Sequence, residues 1–155
     1  MIGSSTPTNR PFFSRFLVTL QFIGLAVALY PWHQWGMVSR WWAVLLIVAG
    51  ALLAVWAVWH NRPGNFRVLP ELTEGGALIT SGPYARIRHP MYSALLLVGA
   101  GGALASGHGL NLVGWGMMAW ALWAKAEREE SLLLLVFGQY AAYRSRTRRF
   151  IPGLW

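Results

Sequence analysis

Two polar clusters hold most of the side chains in this chain that could do chemistry. Residues 81–92, SGPYARIRHPMY, bring two arginines, a histidine and two tyrosines together between long uncharged segments. Residues 125–130, KAEREE, combine a lysine and an arginine with three glutamates. Ionisable groups beside long apolar segments are costly to hold and are often functional. We therefore predict that the two clusters meet and form one cofactor site.

The composition indicates the kind of protein that must position these clusters. The chain has 155 residues, enough for one domain, and we treat residues 1–155 as a single domain. Hydrophobic residues make up 55% of it and charged residues 12%, against about 25% charged residues in ordinary globular domains. Ten tryptophans fit the aromatic belts of membrane interfaces. The composition therefore predicts an all-α integral membrane protein.

Long apolar runs predict about four transmembrane helices. An uncharged run covers residues 91–124, which is too long for one straight helix to cross a hydrocarbon core of about 30 Å. It breaks at residues 106–109, SGHG, so we predict a helical hairpin there. The predicted spans are residues 16–32, 41–59, 91–105 and 110–124. Residues 1–60 then hold two spans, and residues 61–155 form the cofactor-binding catalytic part.

Three further expectations concern the hairpin and the segment after its second arm. Small residues permit close approach of backbones, and five of them are expected to do so in the hairpin: Gly99, Gly102, Ala103, Gly114 and Gly116. We expect the second arm to continue as a helix through residues 125–130. The apolar residues 132–137 are too few to span and would lie at the interface or on the bundle.

The distribution of basic residues predicts the orientation. Nearly all lysines and arginines lie before the first span, in residues 60–90 and after residue 124, whereas the other loops hold only Arg40. Positive charge favours the cytoplasmic side. Both termini and both clusters are therefore expected at the cytoplasmic face of a cell or inner membrane, which gives a cytoplasmic-face cofactor pocket. A lipid-headgroup anchor is one interpretation of the basic tail, whose role the sequence leaves open.

Residue types that are missing exclude several classes of chemistry. The chain has no cysteine, which excludes disulfides, thiol catalysis and cysteine-bound zinc. It has no aspartate, so a Ser-His-Asp triad is impossible. His89 has no second histidine at metal-ligand spacing, and no metal is predicted. The net charge of +8 lies in blocks beside apolar runs, so nucleic acid is not an expected partner.

Several of these residues also recur in a known order. Gly82-Pro83-Tyr84 leads into RHPMY at residues 88–92, and Glu129-Glu130 is followed by Phe137-Gly138 and a basic Ile-Pro ending at residues 149–152. Over roughly residues 76 to 153 this order resembles the isoprenylcysteine carboxyl methyltransferase family. That family belongs to a wider group of membrane methyltransferases that includes phospholipid N-methyltransferases.

The resemblance implies S-adenosylmethionine as the methyl donor, with the lipid bilayer and a lipid-like or small-molecule acceptor as partners. It implies a cofactor pocket lined by Gly76, Ala77, Leu78, Ile79, Tyr84, His89, Pro90, Met91, Tyr92 and Glu129. The residues predicted to act in catalysis are Lys125, Glu129 and Arg88. Lys125 stands where the family usually has an arginine facing the substrate.

Three alternatives stay open at this point. An amine or thiol on a lipid or small molecule could be the acceptor instead of a carboxylate, and an amine would need a base such as Glu130. Lys125 and Glu129 are four residues apart and could form a simple ion pair that supports the helix. The chain could also be a non-catalytic membrane scaffold, in which case both clusters are interfacial anchors.

Overall fold

A computed structural model describes residues 11–31, 40–61 and 77–153 of the chain. Within these ranges the protein has five α-helices, one 3-10 helix and no strand, which confirms the all-α prediction. The α-helices are α1 (Pro11–Leu29), α2 (Arg40–His60), α3 (Pro90–Ser106), α4 (Gly109–Val136) and α5 (Tyr140–Arg146), and the 3-10 helix covers Gly82–Ala85.

The long helices pack in two nested pairs. The first long helix, α1, packs mainly on the last one, α4, whereas α2 packs mainly on α3. The turn between α3 and α4 confirms the predicted break. Gly107 ends α3 with a left-handed φ of 66°, which glycine adopts without steric cost. His108 caps α4, because its side chain accepts a hydrogen bond of 3.2 Å from the backbone nitrogen of Leu110.

Glycines set the distance between the paired helices. A Cβ atom at Gly24 of α1 would lie 2.7 Å from the carbonyl oxygen of Gly114 and 2.7 Å from the nitrogen of Met118, both on α4. A Cβ at Gly50 of α2 would lie 2.8 Å from the carbonyl oxygen of Ala94 on α3. Helix backbones therefore touch in both pairs, as small residues allow.

The expected partners of the hairpin glycines were partly wrong. Gly99 does face the other arm, since an added Cβ would meet the Met118 side chain. In contrast, Gly102 faces Leu29 and Gly114 faces Val27, both on α1, and Gly116 has nothing within 4 Å. Ala103 is buried. The sequence shows that these residues are small, but the packing partner depends on how α1 is seated.

Asn111 ties the end of α1 to the hairpin turn. Its side-chain nitrogen carries two hydrogens and lies within hydrogen-bond distance of the carbonyl oxygens of Val27, Ala28 and Tyr30, at 3.0, 2.9 and 3.0 Å. Its side-chain oxygen accepts a bond of 2.6 Å from the hydroxyl of Ser106. The last carbonyls of a helix have no partner within it, so one buried amide both satisfies these groups and fixes where α1 ends.

Two of the helices in the described ranges are long and apolar enough to cross a membrane. The windows are Phe12–Leu29, with 18 residues, and Trp41–His60, with 20 residues, and only 28% and 17% of their residues are buried. The core helix of a soluble protein would be mostly buried. Helix α3 is apolar but has 17 residues, and the second half of the 28-residue α4 is charged. The prediction of four spans is thus supported for two helices and stays a prediction for α3 and α4.

Helix boundaries differ from the predicted spans mainly at two places. Helix α1 begins at Pro11 rather than residue 16, so Arg15 lies inside it. The continuation of α4 through the charged cluster is confirmed, and the helix also takes in most of residues 132–137. Leu135 and Val136 are exposed there. The loop at residues 33–40 lies almost entirely outside the described residues.

Candidate active site

The loop formed by residues 81–92 is built onto the end of α2. Gly82 has a φ of +58°, and a Cβ there would overlap the His60 ring. Glycine is therefore required both for the turn and for the contact. Pro90 occupies the first turn of α3, where its missing N–H has no partner within the helix to lose. This places the buried ring of His89 directly in front of that helix.

The loop and the second cluster meet, as predicted. The hydroxyl of Tyr92 donates to Oε1 of Glu129. Nδ1 of His89 lies 3.3 Å from Oε2 of Glu129, and Nε2 of His89 lies 3.2 Å from Oε1 of Glu130. One histidine ring is thus held between two neighbouring carboxylates. Sequence order brings this about, because Pro90 starts α3 beside the loop and the hairpin returns α4 to it.

This position determines the charge of His89. Burial alone would lower the pKa of the imidazole, but its hydrogen bonds to Glu129 and then Glu130 outweigh burial and raise the pKa. Each ring nitrogen faces a carboxylate oxygen, so both must carry a proton to donate. The ring also stacks on Tyr92, with centroids 5.3 Å apart and planes at 1°. The geometry and the raised pKa both favour the imidazolium form of His89.

Glu130 is the hub of the cluster. Its side chain is 1% exposed, and it accepts from Nε of Arg88 at 3.0 Å, and from Nε and Nη2 of Arg149 at 3.0 and 3.2 Å. Nε of Arg144 lies 3.3 Å from its Oε2. Burial acts to raise the pKa of Glu130, but hydrogen bonds from His89, Arg149 and Arg88 outweigh it and hold the pKa well below its usual range. Such a carboxylate is a poor general base.

The Arg88 side chain binds the C-terminal tail. Besides Glu130, its Nη1 donates to the carbonyl oxygens of Arg144 at 3.1 Å and Thr147 at 2.5 Å. Its backbone nitrogen donates to the carbonyl oxygen of Arg148 at 2.7 Å, next to the parallel bridge between Ile87 and Arg148. The structure therefore places the Arg88 side chain beside Glu130, with its guanidinium directed at the protein itself.

The C-terminal tail forms part of the site. The hydroxyl of Ser93 donates to the carbonyl oxygen of Phe150 at 2.6 Å, and that of Tyr143 donates to the carbonyl oxygen of Tyr84 at 2.7 Å. The Phe150 ring lies 6.1 Å from that of His89. The structure therefore places Tyr143 and Phe150 of the tail against the candidate site.

The Lys125 side chain lies on the side of the site that faces α1. Its side chain is 2% exposed, and its Nζ donates to Oε1 of Gln21 at 2.7 Å. Nζ also lies 5.0 Å from the centroid of the Tyr92 ring, a cation–π distance. Within the described residues Lys125 forms no ion pair. The simple Lys125–Glu129 pair is thus wrong, because Tyr92 and His89 occupy Glu129.

Comparison with known proteins connects this arrangement to a family. The sequence profile of the phospholipid methyltransferases matches residues 38–140, from the start of α2 to the start of α5. The chain belongs to the phospholipid methyltransferase family. The match includes both polar clusters, and so it covers Tyr92, Lys125 and Glu129.

Two curated proteins are similar in sequence to this family member. It is 25% identical over 140 residues to the protein-S-isoprenylcysteine O-methyltransferase of Dictyostelium discoideum, covering 87% of this chain and 59% of the relative. It is 26% identical over 124 residues to protein-S-isoprenylcysteine O-methyltransferase B of Arabidopsis thaliana, covering 76% and 63%. The resemblance found in the sequence is thereby confirmed. The chain spans about three fifths of the length of either relative.

The remaining predicted lining residues of this phospholipid methyltransferase family member lie around the loop. Ala77, Leu78 and Ile79 form a half-buried irregular segment that leads towards the 3-10 helix. Gly76 lies outside the described residues. Tyr84 sits in the 3-10 helix, where burial and then the negative charge of Glu129 raise the pKa of its hydroxyl to about 12.

The helix start of α3 holds the last two lining residues. Pro90 is buried and Met91 is half-buried there. Among the described residues, no group of three or more potential ligands is arranged to hold a metal ion.

Sequence reasoning missed two contributors. Arg149 was noted only as part of a basic ending, and it lies beyond the family match, yet it forms a main contact of Glu130. Gln21 is an amide within the apolar first predicted span, yet it is the hydrogen-bond partner of Lys125. A lone amide in a candidate span was the available signal, because a buried polar group requires a partner.

Proposed function

We propose that this chain is an integral membrane methyltransferase that uses S-adenosylmethionine and transfers a methyl group to a lipid-like or small acceptor at the membrane interface. The observation that carries the proposal is the contrast between two adjacent carboxylates. Glu130 is saturated by cations and 1% exposed, whereas Glu129 is 23% exposed and accepts only from Tyr92 and His89 in the described structure. Each oxygen of Glu129 can accept a further hydrogen bond, so this carboxylate can also bind a cationic ligand.

The residues present fit S-adenosylmethionine, which supplies an electrophilic methyl group on a positively charged sulfur. Its amino-acid and ribose portions need hydrogen-bond acceptors, and the half-exposed carboxylate of Glu129 offers two oxygens. Tyr92 and Tyr84 offer aromatic faces for adenine or for cation–π contact. The polar backbone of residues 77–82 completes the set. Arg88 and His89 act as positioning residues, since one holds the tail and the other orients Glu129.

One observation favours a carboxylate acceptor over an amine. Burial lowers the pKa of Lys125, although the negative charge of Glu129 acts in the other direction. In its ammonium form this buried side chain suits an anionic acceptor. A carboxylate is already nucleophilic at neutral pH and needs no base, and Glu130 is a poor base. The residues then need only to orient the acceptor and exclude water. The amine and thiol acceptors remain the second candidate, which a screen of acceptors distinguishes.

The distribution of arginines supports one orientation of the protein in the membrane. Arginines crowd the end of the bundle that carries the site, while the turn at residues 107–108 carries none. We propose four spans, with the site facing the cytoplasm. The chain lacks cysteine, so single cysteines at Arg146 and Gly109 can be labelled separately. In intact spheroplasts an impermeant maleimide should modify Gly109→Cys but not Arg146→Cys, and the reverse pattern would overturn the orientation.

Binding of labelled S-adenosylmethionine to the detergent-purified chain tests the cofactor. Wild type should bind saturably. Glu129→Gln should bind at least tenfold more weakly, since a hydrogen bond to a charged group contributes about 1.5–3 kcal/mol. Glu127→Gln is the matched control on the same helix, because Glu127 is exposed and pairs with Arg149, and it should bind like wild type. Absence of saturable binding by wild type would exclude the proposed cofactor.

A screen of acceptors then identifies the reaction. Prenylated cysteine analogues with a free carboxylate should accept label from S-adenosylmethionine, and their carboxamides should not. Transfer to phosphatidylethanolamine instead would establish the amine acceptor. The scaffold alternative predicts no transfer to either and no effect of Glu129→Gln on binding.

A further inference from the structure

We infer that Gln21, on the N-terminal helix, is a positioning residue that holds Lys125 away from Glu129. It thereby keeps a cation for the acceptor and an anion for the donor apart in one site. The inference rests on the proposed function, but it concerns a residue outside both polar clusters and outside the family match, which begins at residue 38.

The contact itself is short and enclosed. Oε1 of Gln21 accepts from Nζ of Lys125 at 2.7 Å, and the two side chains are 5% and 2% exposed. An amide is neutral, so it satisfies one N–H of the ammonium without cancelling its charge. Two further donors of the ammonium remain. Gln21 therefore fixes where the charge lies and leaves it available.

Without this contact the two charges would be expected to combine. Lys125 and Glu129 lie one turn apart on α4, the spacing at which opposite charges pair on a helix. Burial makes this attraction stronger than it is in water. Tyr92 stands between them, with its ring 5.0 Å from Nζ and its hydroxyl bonded to Glu129. A released Lys125 could reach past this ring and neutralise the carboxylate proposed to bind the donor.

The packing of α1 on α4 keeps Gln21 in register. Gly24 is one turn from Gln21, and a Cβ there would lie 2.7 Å from the backbone nitrogen of Met118. Met118 lies two turns before Lys125 on α4, so helices in backbone contact here cannot slide without a clash. Asn111 fixes the other end of α1 through its contacts with three carbonyl oxygens. The amide is therefore held opposite the ammonium by the fold.

A double-mutant experiment separates this role from simple packing. Gln21→Met keeps the length of the side chain and removes the acceptor. Dissociation constants for labelled S-adenosylmethionine are measured by equilibrium binding in detergent for wild type, Gln21→Met, Lys125→Met and the double variant. Gln21→Met should bind about tenfold more weakly than wild type. The double variant should bind as Lys125→Met does, because no cation is left to neutralise Glu129.

A second substitution gives an independent readout. Gln21→Glu keeps Lys125 on the α1 side as an ion pair, so binding of S-adenosylmethionine should match wild type. Transfer to a carboxylate-bearing prenylated cysteine analogue should fall about tenfold in kcat/KM, because the ammonium is neutralised. The thermal unfolding temperature of each variant is recorded alongside.

The outcomes distinguish the two proposals. If wild type binds no S-adenosylmethionine, the proposed function fails. If wild type binds and Gln21→Met binds equally well, the positioning role of Gln21 is wrong. If the defect of Gln21→Met persists in the double variant, Gln21 contributes only packing and the inference is again overturned. Restoration by Lys125→Met supports it, since no loss of packing would be repaired by a second substitution.

Discussion

Arg149 and Glu130 form a two-pronged ion pair, with Nε and Nη2 of the guanidinium 3.0 and 3.2 Å from the carboxylate oxygens Oε1 and Oε2. Glu130 also accepts from Arg88, which holds the tail by two backbone carbonyls. One carboxylate on α4 therefore joins the loop before α3 to the C-terminal segment. The tail is a structural part of the site, whatever it does at a lipid surface.

Substitution of Arg149 should loosen this junction. Arg149→Lys keeps the charge but loses the planar two-pronged contact, and we expect a loss of about 1–2 kcal/mol in the free energy of unfolding. Chemical or thermal unfolding in detergent measures it. Arg146→Lys is the matched control, because Arg146 is an exposed arginine of the same segment. An equal effect of both substitutions would contradict the special role of Arg149.

Substitutions of the two neighbouring glutamates should affect different properties, the stability of the fold for Glu130 and cofactor binding for Glu129. Glu130→Gln leaves several buried cations without their counter-charge, and breaking a buried pair costs about 3–5 kcal/mol. Glu129→Gln should cost much less stability and should mainly weaken cofactor binding. Unfolding and binding are measured on both variants. If Glu129→Gln proved the more destabilising of the two, the hub would be assigned to the wrong residue.

The charge of His89 should make stability depend on pH. Its pKa is raised in the folded protein, so its stabilising contribution is fully present below the unfolded pKa of about 6.5 and is lost as pH rises through the raised folded pKa. The difference in unfolding free energy between wild type and His89→Gln should therefore shrink from pH 6 towards alkaline pH. A difference that grew with pH would show that His89 is neutral in the folded state.

Glycine substitutions should show which helices touch. Gly24→Ala would place a Cβ 2.7 Å from backbone atoms of α4, and overpacking of this kind costs about 1–3 kcal/mol. Gly116→Ala is the matched control, since it has nothing within 4 Å and alanine favours a helix more than glycine does. Melting temperatures should fall for the first and stay or rise for the second. The opposite order would contradict the α1–α4 contact.

The helices and the meeting of the two clusters could be predicted from the sequence, because apolar length and the glycine break leave few alternatives. Helix α1 begins before the predicted span, because the charged residue Arg15 lies inside the helix rather than ahead of it. The roles of Glu129 and Glu130 could not be separated, since adjacent helix residues point about 100° apart and the sequence does not show which one faces the tail.

Two other features depend on tertiary contacts alone. In the sequence, Arg149 cannot be distinguished from the other arginines of a basic anchor. Its contact with Glu130 arises only because the chain turns back after α5. Gly102 and Gly114 look like hairpin glycines until α1 packs against them. In both cases the local sequence allows several neighbours, and the choice is made by elements far away in the chain.

The nested pairing of the helices also determines how the protein can assemble during synthesis. Helix α1 is made before its partner α4, and α2 and α3 are made between them. The pair formed by α2 and α3 can therefore form early. The amide of Gln21 and the last carbonyls of α1 gain their hydrogen-bond partners, Lys125 and Asn111, only after α4 is made. Contacts between distant parts of a chain form slowly. The docking of α4 therefore completes the packing of the four long helices and joins the two polar clusters, and the C-terminal tail then completes the site.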